Sequence, residues 1–187
     1  MSPFEFFFSF YGLLLGLSVA QVANGVGHAL ATRRHSRLGW LTPALAAFVL
    51  LDIASFWLNA WEHQKTITVS AFPIYFGMII ALSYYIATVL LFPTEDSGWE
   101  DLDRHYWSIK RWVVAGIAFA NFASTAWLVG RHILTWPLPS IVMMMATYWI
   151  PLALLGFSTR KWLDGVCLAL LIAAYVFAPM LLSIFLT

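Results

Sequence analysis

Charged residues are scarce in this chain, and their scarcity limits the class of protein it can be. Only 10% of its 187 residues are charged and 61% are hydrophobic, whereas a soluble domain has about 25% charged and about 45–50% apolar residues. The mean hydropathy is +0.81. A water-soluble fold of this length cannot bury so much apolar surface. The composition therefore excludes an ordinary soluble domain and predicts that lipid surrounds most of the chain.

Motifs that carry enzyme chemistry are absent as well. The sequence has no glycine-rich phosphate loop, no GxSxG elbow and no HExxH or CxxC metal spacing. Its single cysteine, Cys167, lies in an apolar stretch and has no second cysteine to pair with. The net charge of +1 gives no nucleic-acid footprint. We therefore expect no metal site and no nucleic-acid partner, and we favour a non-enzymatic protein over an enzyme.

Lysine is missing from the middle of every apolar stretch. Lys65, Lys110 and Lys161 all fall at predicted membrane interfaces. A retinal Schiff base requires a buried amine, so these positions argue against a retinal protein. Regularly spaced arginines, which would indicate a voltage sensor, are also absent from the apolar stretches.

Six long apolar stretches dominate what is present. Each is close to the roughly 20 residues that a helix needs to cross about 30 Å of hydrocarbon. Strands of a membrane barrel would alternate in polarity over about 10 residues, and stretches such as GMIIALSYYIATVLLF do not alternate. We therefore predict an all-α, polytopic membrane bundle that forms one transmembrane domain over residues 1–187. The six predicted spans are 7–30, 41–61, 71–92, 112–130, 140–157 and 164–185.

The longest connection, 94–111, has a helical pattern of its own. Ser97 and Glu100 have the spacing of a capping box, which marks a helix start. We predict a short amphipathic helix at about 97–110 that lies on the membrane surface before the fourth span begins. Its apolar stripe consists of Trp99, Leu102, Tyr106 and Ile109.

Lysine and arginine are concentrated in three connections, which hold eight of the ten basic residues. Because basic loops stay in the cytoplasm, the termini are expected to be extracytoplasmic and the membrane to be the plasma (inner) membrane. The first span lacks a basic segment before it, so we do not expect a removable signal peptide. We call the end of the bundle that carries these connections the basic end. Its residues are Arg33, Arg34, Arg37, Arg104, Lys110, Arg111, Arg160 and Lys161.

Small residues line one side of the first span. Gly12 and Gly16 are four residues apart, which lets another helix approach closely. This packing ridge could contact a helix of the same chain or of a second copy. Besides the lipid bilayer, we therefore expect a homo-oligomer or a larger membrane complex as partner.

A polar stripe interrupts the second span in the segment LLDIASFWLNAWEH. Asp52 lies about eleven residues into the span, which is about 16 Å deep at 1.5 Å per residue. An ionised carboxylate at that depth costs at least roughly 2.5–3.5 kcal/mol, so Asp52 should face polar groups or water inside the bundle. Ser55, Asn59 and Glu62 follow at helical spacing and extend the stripe to the outer surface.

Other spans carry polar side chains that are predicted to reach the same interior. Tyr84 on the third span and Asn121 on the fourth lie at a depth similar to that of Asp52. On the first span Gln21 and Asn24 lie at that depth, and His28 follows toward the inner surface.

The leading functional hypothesis is a small channel or transporter for protons, ions or a small solute. Asp52 would act at mid-membrane, Asn59 and Glu62 would form the outer entrance, and the inner exit would comprise Gln21, Asn24 and His28.

Two alternatives remain open at the level of the sequence. The polar stripe could be a hydrogen-bonded seam that fixes helix packing in a non-catalytic subunit or scaffold. Alternatively, histidines on two helices could clamp a haem, and His28, His63 and His132 are the candidates for a haem- or pigment-binding protein. The sequence itself assigns no cofactor.

Overall fold

A computed structural model describes residues 3–32, 39–63, 71–94, 99, 101–131 and 138–185 of the chain. These residues are almost entirely helical, which confirms the all-α prediction. A π-helical turn, Met145–Trp149, joins the helices Leu138–Met144 and Ile150–Phe157. The helices are α1 (Pro3–Thr32), α2 (Leu41–Glu62), α3 (Ala71–Leu90), α4 (Leu102–Gly130), α5 (Leu138–Met144), α6 (Ile150–Phe157) and α7 (Lys161–Phe185).

Four of the described helical segments are long and apolar enough to cross a membrane. They are Phe8–Ala31, Leu41–Glu62, Phe72–Leu90 and Leu102–Gly130. A shorter apolar run, Ile141–Phe157, comprises α5, the π-helical turn and α6. Large apolar side chains cover the outside of these helices, among them Trp112, Phe122 and Leu58 at 70%, 65% and 64% exposure. Apolar surface of this extent is stable against lipid and not against water, and supports membrane insertion.

The separate surface helix predicted at 97–110 is replaced by a longer α4. This helix begins at Leu102, where the side chain of Asp101 accepts a hydrogen bond from the Arg104 N–H at 3.1 Å. It then runs without a break to Gly130, because no proline or glycine interrupts its first three turns. The prediction of two helices was therefore wrong, and the predicted capping pair, Ser97 and Glu100, lies outside the described residues.

The helices pack into one bundle around α2. The contacts run from α1 to α3, from α3 to α4, from α4 to α6, from α6 to α7 and from α7 to α2. Helix α2 also contacts α1, α3 and α4. Its buried side chains, among them Leu45, Phe48, Val49 and Ile53, belong to the hydrophobic core. A polar residue on this face of α2 is therefore surrounded by other helices.

The buried stripe of α1 packs against this bundle. Gly25 is essential to that packing, because a Cβ at this position would lie 2.1 Å from the ring of Phe92 at the end of α3. The predicted glycine ridge is divided: Gly12 faces the Trp57 ring, with 3.3 Å to an added Cβ, while Gly16 has no neighbour within 4 Å of an added Cβ. The stripe consists of Tyr11, Leu15, Ser18, Val22, Gly25 and Ala29.

Candidate functional site

Asp52 lies fully buried at the centre of the bundle and accepts four side-chain hydrogen bonds. Its Oδ2 accepts from the Tyr84 hydroxyl at 2.7 Å and from Asn121 Nδ2 at 2.9 Å. Its Oδ1 accepts from the Tyr148 hydroxyl at 3.0 Å and from the Tyr175 hydroxyl. One carboxyl group thereby joins α2 to α3, α4, the π-helical turn and α7. We call these five side chains the Asp52 cluster.

Helical periodicity places Asp52 inside the bundle. It follows Phe48 by one turn and Leu45 by two, and both of these side chains are fully buried. Tyr84 and Asn121 are two of the four neighbours suggested by the sequence. Tyr148 and Tyr175 are two donors that the sequence analysis missed.

The π-helical turn brings Tyr148 to the cluster. Pro151 has no N–H, and its ring would clash with a carbonyl four residues earlier in a regular helix. The turn before it is widened, and the Ile150 N–H donates to the Met145 carbonyl five residues back. A tyrosine three residues before a proline inside an apolar helix is the sequence signal that could have identified this donor.

Aromatic rings enclose the Asp52 cluster on both sides. Toward the basic end, the Phe48 ring lies 6.5 Å from Tyr148 and 6.2 Å from Tyr175, centroid to centroid. Toward the opposite end, the Phe56 ring lies 5.7 Å from the Tyr84 ring. Phe48 and Phe56 are one helical turn before and one turn after Asp52 on α2. The carboxyl group is therefore shielded from water in both directions.

A cavity of about 50 Å³ opens at the end of the bundle opposite the basic end. Asn59 from α2 and Ser124 from α4 are among its polar lining residues. Three lining residues, Phe56, Ile80 and Ser124, lie within four residues of a member of the Asp52 cluster in sequence. The volume is sufficient for a few water molecules, each of which needs at least about 10–15 Å³. Phe56 therefore lines the cavity and also packs against the ring of Tyr84.

Among the remaining members of the predicted stripe on α2, Ser55 reaches the cluster through a side-chain hydrogen bond with Tyr175. Ser55 is half-buried and donates to the backbone carbonyl of Asp52 at 2.8 Å. Asn59 and Glu62 are exposed near the end of α2. The polar positions on this helix are therefore continuous in sequence, while Phe56 interrupts their continuity in space.

The side chains predicted to form the inner exit on α1 do not lie on the buried face of that helix. Gln21 is half-buried, whereas Asn24 and His28 are exposed. Each of the three precedes a buried stripe residue by one position, and one position rotates a side chain by about 100° around a helix. The ring of His28 packs against Trp99 with centroids 4.2 Å apart. We therefore place no inner exit on α1.

A second buried polar cluster lies at the basic end. Lys110 Nζ forms an ion pair with Asp164 Oδ2 at 2.6 Å, donates to the Ser158 carbonyl at 2.7 Å and lies 4.2 Å from the Trp107 ring centroid. Asp164 also accepts from the Tyr106 hydroxyl at 2.8 Å and from the Ser158 hydroxyl. We call Lys110, Asp164, Ser158 and Tyr106 the Lys110 cluster.

Lys110 lies at the basic end of the bundle and is nevertheless buried among protein side chains. Its residue exposure is only 1%, because Tyr106, Lys110 and Val113 share the face of α4 that packs inward. The charge is tolerated there because Asp164, fully buried in the first turn of α7, neutralises it. The sequence analysis considered only the depth of Lys110 in the membrane and did not predict its burial within the protein.

Both clusters are built on the same two helices at the same spacing. Lys110 and Asn121 on α4, like Asp164 and Tyr175 on α7, are eleven residues apart, which corresponds to about 16 Å along a helix. The layer between them is apolar and buried. It includes Val113, Val114, Ile117, Leu168 and Leu171.

The histidines proposed for haem binding do not converge in the part of the chain that is described. His28 is near the end of α1 at the basic end, and His63 follows α2 at the opposite end. His132 lies outside the described residues. Within the described ranges, no three His, Cys, Asp or Glu side chains are grouped so that they could hold a metal ion.

Comparison with known proteins gives no further guide to function. No family model, curated protein or solved structure matches this chain. The function must therefore be argued from the geometry of the two clusters.

Proposed function

We propose that this protein is a small membrane transporter that moves protons, alone or together with a small solute, and that Asp52 is its proton-exchanging group. The observation that carries the proposal is the set of four donors around a fully buried carboxyl group. Ionisable side chains inside membrane bundles are costly and commonly mark ion or proton pathways. A purely apolar residue at position 52 would fill the same space without that cost.

The chemistry of the neighbours favours a proton over a metal cation. Tyr84, Tyr148 and Tyr175 point hydroxyl groups at Asp52, and each hydroxyl can both donate and accept a hydrogen bond. A protonated Asp52 can therefore donate to one of these hydroxyls, and an ionised Asp52 can accept from them, so the cluster accommodates both protonation states. A metal cation would require oxygen acceptors directed at it, whereas here the donors converge on one acceptor.

The Phe48 and Phe56 rings on either side of Asp52 support an occluded conformation, in which Asp52 is open to neither end of the bundle. A path from the outer surface would run from the cavity beside Asn59, past Phe56, to Tyr84 and Asp52. Phe48 and the apolar layer beneath it separate Asp52 from the basic end. In this proposal Phe56 and Phe48 move alternately, so that Asp52 is exposed to one side at a time.

The membrane topology belongs to the same proposal. Helices α1 to α4 supply four spans, the run from α5 to α6 supplies a fifth and α7 a sixth. The concentration of Lys and Arg at the basic end supports a cytoplasmic location for that end. Both termini then lie outside the cytoplasm, and the membrane is the plasma membrane.

A second candidate function is a non-catalytic membrane subunit or scaffold. It is favoured by the completeness of the hydrogen bonding, since each Asp52 oxygen already accepts two bonds. In that case the Asp52 cluster only fixes helix packing, as interhelical polar side chains do in other membrane bundles.

Proton flux separates the two functions. The full-length chain would be reconstituted in vesicles containing a pH-sensitive dye, and flux measured under an imposed pH gradient for the wild type, Asp52→Asn and Asp103→Asn. Asp103 is a matched control because it is a carboxylate at the surface, paired with Lys161. We expect flux in the wild type and in Asp103→Asn and its loss in Asp52→Asn. Equal flux in all three, or none above empty vesicles, would contradict the proposal.

A further inference from the structure

Two hollows on the outside of α4 and α6 join into one groove. The first, about 620 Å³, lies at the basic end, and the second, about 410 Å³, continues along the helices. Arg111 and Ala115 line both hollows, so the two hollows meet at these residues. We call the groove that they form the α4–α6 groove. The other residues that line its polar end are Trp107, Ser108, Lys110, Trp112, Ser158 and Thr159.

The second part of the α4–α6 groove is an apolar slot. The slot is open because the side chains of Ala115 and Ala153, one on each wall, are small and leave space between the helices. Its floor is closed at Gly156, where an added Cβ would lie 3.3 Å from the Val114 side chain. A slot of this shape on the surface of a membrane protein fits an acyl chain. Besides Arg111 and Ala115, it is lined by Val114, Ala118, Trp149, Leu152, Ala153, Gly156 and Phe157.

The polar end of the groove carries a net positive charge. Two ion pairs are found among the described residues, Lys110 with Asp164 and Lys161 with Asp103, and neither includes Arg111. Among the residues that the structure describes, no aspartate or glutamate lines either hollow. The charge of Lys110 is neutralised by Asp164, so the exposed guanidinium of Arg111 sets the sign.

The tryptophans beside Arg111 are of the residue type that is enriched at the level of lipid headgroups. Trp107 and Trp112 line the same hollow, and Trp112 is 70% exposed. Indole rings concentrate at that level because they are apolar apart from one N–H. Arginine binds phosphate through two parallel hydrogen bonds. The groove therefore has a cation for the phosphate, tryptophans at the headgroup level and an apolar slot for an acyl chain, in that order.

We propose that the α4–α6 groove binds one anionic phospholipid. Its phosphate lies against Arg111, with the hydroxyl groups of Ser108 and Thr159 within the same hollow, and one acyl chain follows Ala115, Ala118 and Ala153. The apolar lining of the slot favours a lipid over a free phosphate ion. The site shares Lys110 and Ser158 with the Lys110 cluster, so a bound lipid would stabilise the contact of α4 with α6.

Native mass spectrometry of the delipidated full-length protein in detergent tests this proposal. Phosphatidylglycerol and phosphatidylcholine with the same acyl chains would be titrated separately, and glycerol phosphate added as a competitor without acyl chains. We expect one phosphatidylglycerol to bind more tightly than phosphatidylcholine. Arg111→Gln should weaken phosphatidylglycerol binding about fivefold, which is the contribution of one basic residue near an anionic lipid surface. Phosphatidylcholine binding should fall less, because the choline group offsets the charge of its phosphate.

Arg104→Gln is the matched control, because Arg104 is exposed on the same helix and lines neither hollow. It should leave phosphatidylglycerol binding unchanged. Ala115→Trp and Ala153→Trp fill the slot from opposite walls and should weaken both lipids while the thermal midpoint is retained. Equal losses in Arg104→Gln and Arg111→Gln, full binding in both tryptophan variants, or displacement of the lipid by glycerol phosphate at equal concentration would overturn the proposal.

Discussion

The Phe56 ring lies 5.7 Å from the ring of Tyr84 and also lines the cavity at the end of the bundle opposite the basic end. Phe56 is half-buried, so its ring has the cavity on one side and the packed bundle on the other. Phe56 therefore contacts both a space large enough for water and a tyrosine whose hydroxyl is bonded to Asp52. The relationship makes Phe56 the side chain whose removal should matter most for access.

Truncation of Phe56 should open the outer side of the path. In Phe56→Ala, water can enter the space left by the ring and reach Tyr84, so we expect faster proton flux into vesicles than in the wild type. Phe122→Ala is the control, because Phe122 is 65% exposed on the outer surface of α4 and faces lipid. Equal flux in wild type and Phe56→Ala would show that the ring does not limit access.

Removal of one donor from Asp52 should destabilise the bundle. Tyr84→Phe keeps the ring and deletes the hydroxyl that donates to Oδ2 at 2.7 Å. Hydrogen bonds to charged groups contribute roughly 1.5–3 kcal/mol, and we expect a loss of that size in the free energy of unfolding in detergent. Tyr85→Phe, at the exposed neighbouring position, should be close to neutral. Equal stability of the two variants would show that this hydrogen bond does not stabilise the bundle.

The two ion pairs should differ strongly in their effect on stability. Lys110→Met leaves Asp164 buried without its cation, which costs about 3–5 kcal/mol for pairs of this kind. Lys161→Met breaks a pair whose lysine side chain is 49% exposed, and surface pairs contribute only about 0–1 kcal/mol. Chemical denaturation of both variants in detergent provides the comparison. Similar losses would mean that the Lys110 cluster is solvated in the working protein.

Two glycines on α1 should respond in opposite ways to alanine. Gly25→Ala places a Cβ 2.1 Å from the Phe92 ring and forces α1 away from the end of α3, which should cost about 1–3 kcal/mol. Gly27→Ala meets nothing within 4 Å and should stabilise the helix by about 0.5–1 kcal/mol. Thermal unfolding of both variants measures the difference. A stabilising Gly25→Ala would contradict the packing of α1 against α3.

The helices themselves were predictable because membrane spans must be long and apolar. The boundaries of α2 and α3 agree with the predicted spans within two residues. The inward direction of Asp52 followed from the cost of exposing it to lipid. Its partners Tyr84 and Asn121 were identified because they are polar residues at the same depth on other spans.

The remaining parts of the clusters depend on features that a local pattern does not contain. Apolar residues occupy every face of a membrane helix, so periodicity did not reveal which face of α1 is buried, and Gln21 was placed one position from the actual stripe. Tyr148 reaches Asp52 through a π-helical turn that departs from the 3.6-residue period. Burial of Lys110 requires Asp164, which is 54 residues away in sequence.

Infrared difference spectroscopy of the reconstituted protein tests most directly whether the carboxyl group of Asp52 exchanges its proton. Spectra would be recorded as the pH outside the vesicles is stepped, and the carboxyl C=O stretching region compared for the wild type, Asp52→Asn and Asp103→Asn. We predict a carboxyl band that changes in the wild type and in Asp103→Asn and is missing in Asp52→Asn. A wild-type spectrum with no band that depends on Asp52 would contradict proton exchange at this residue.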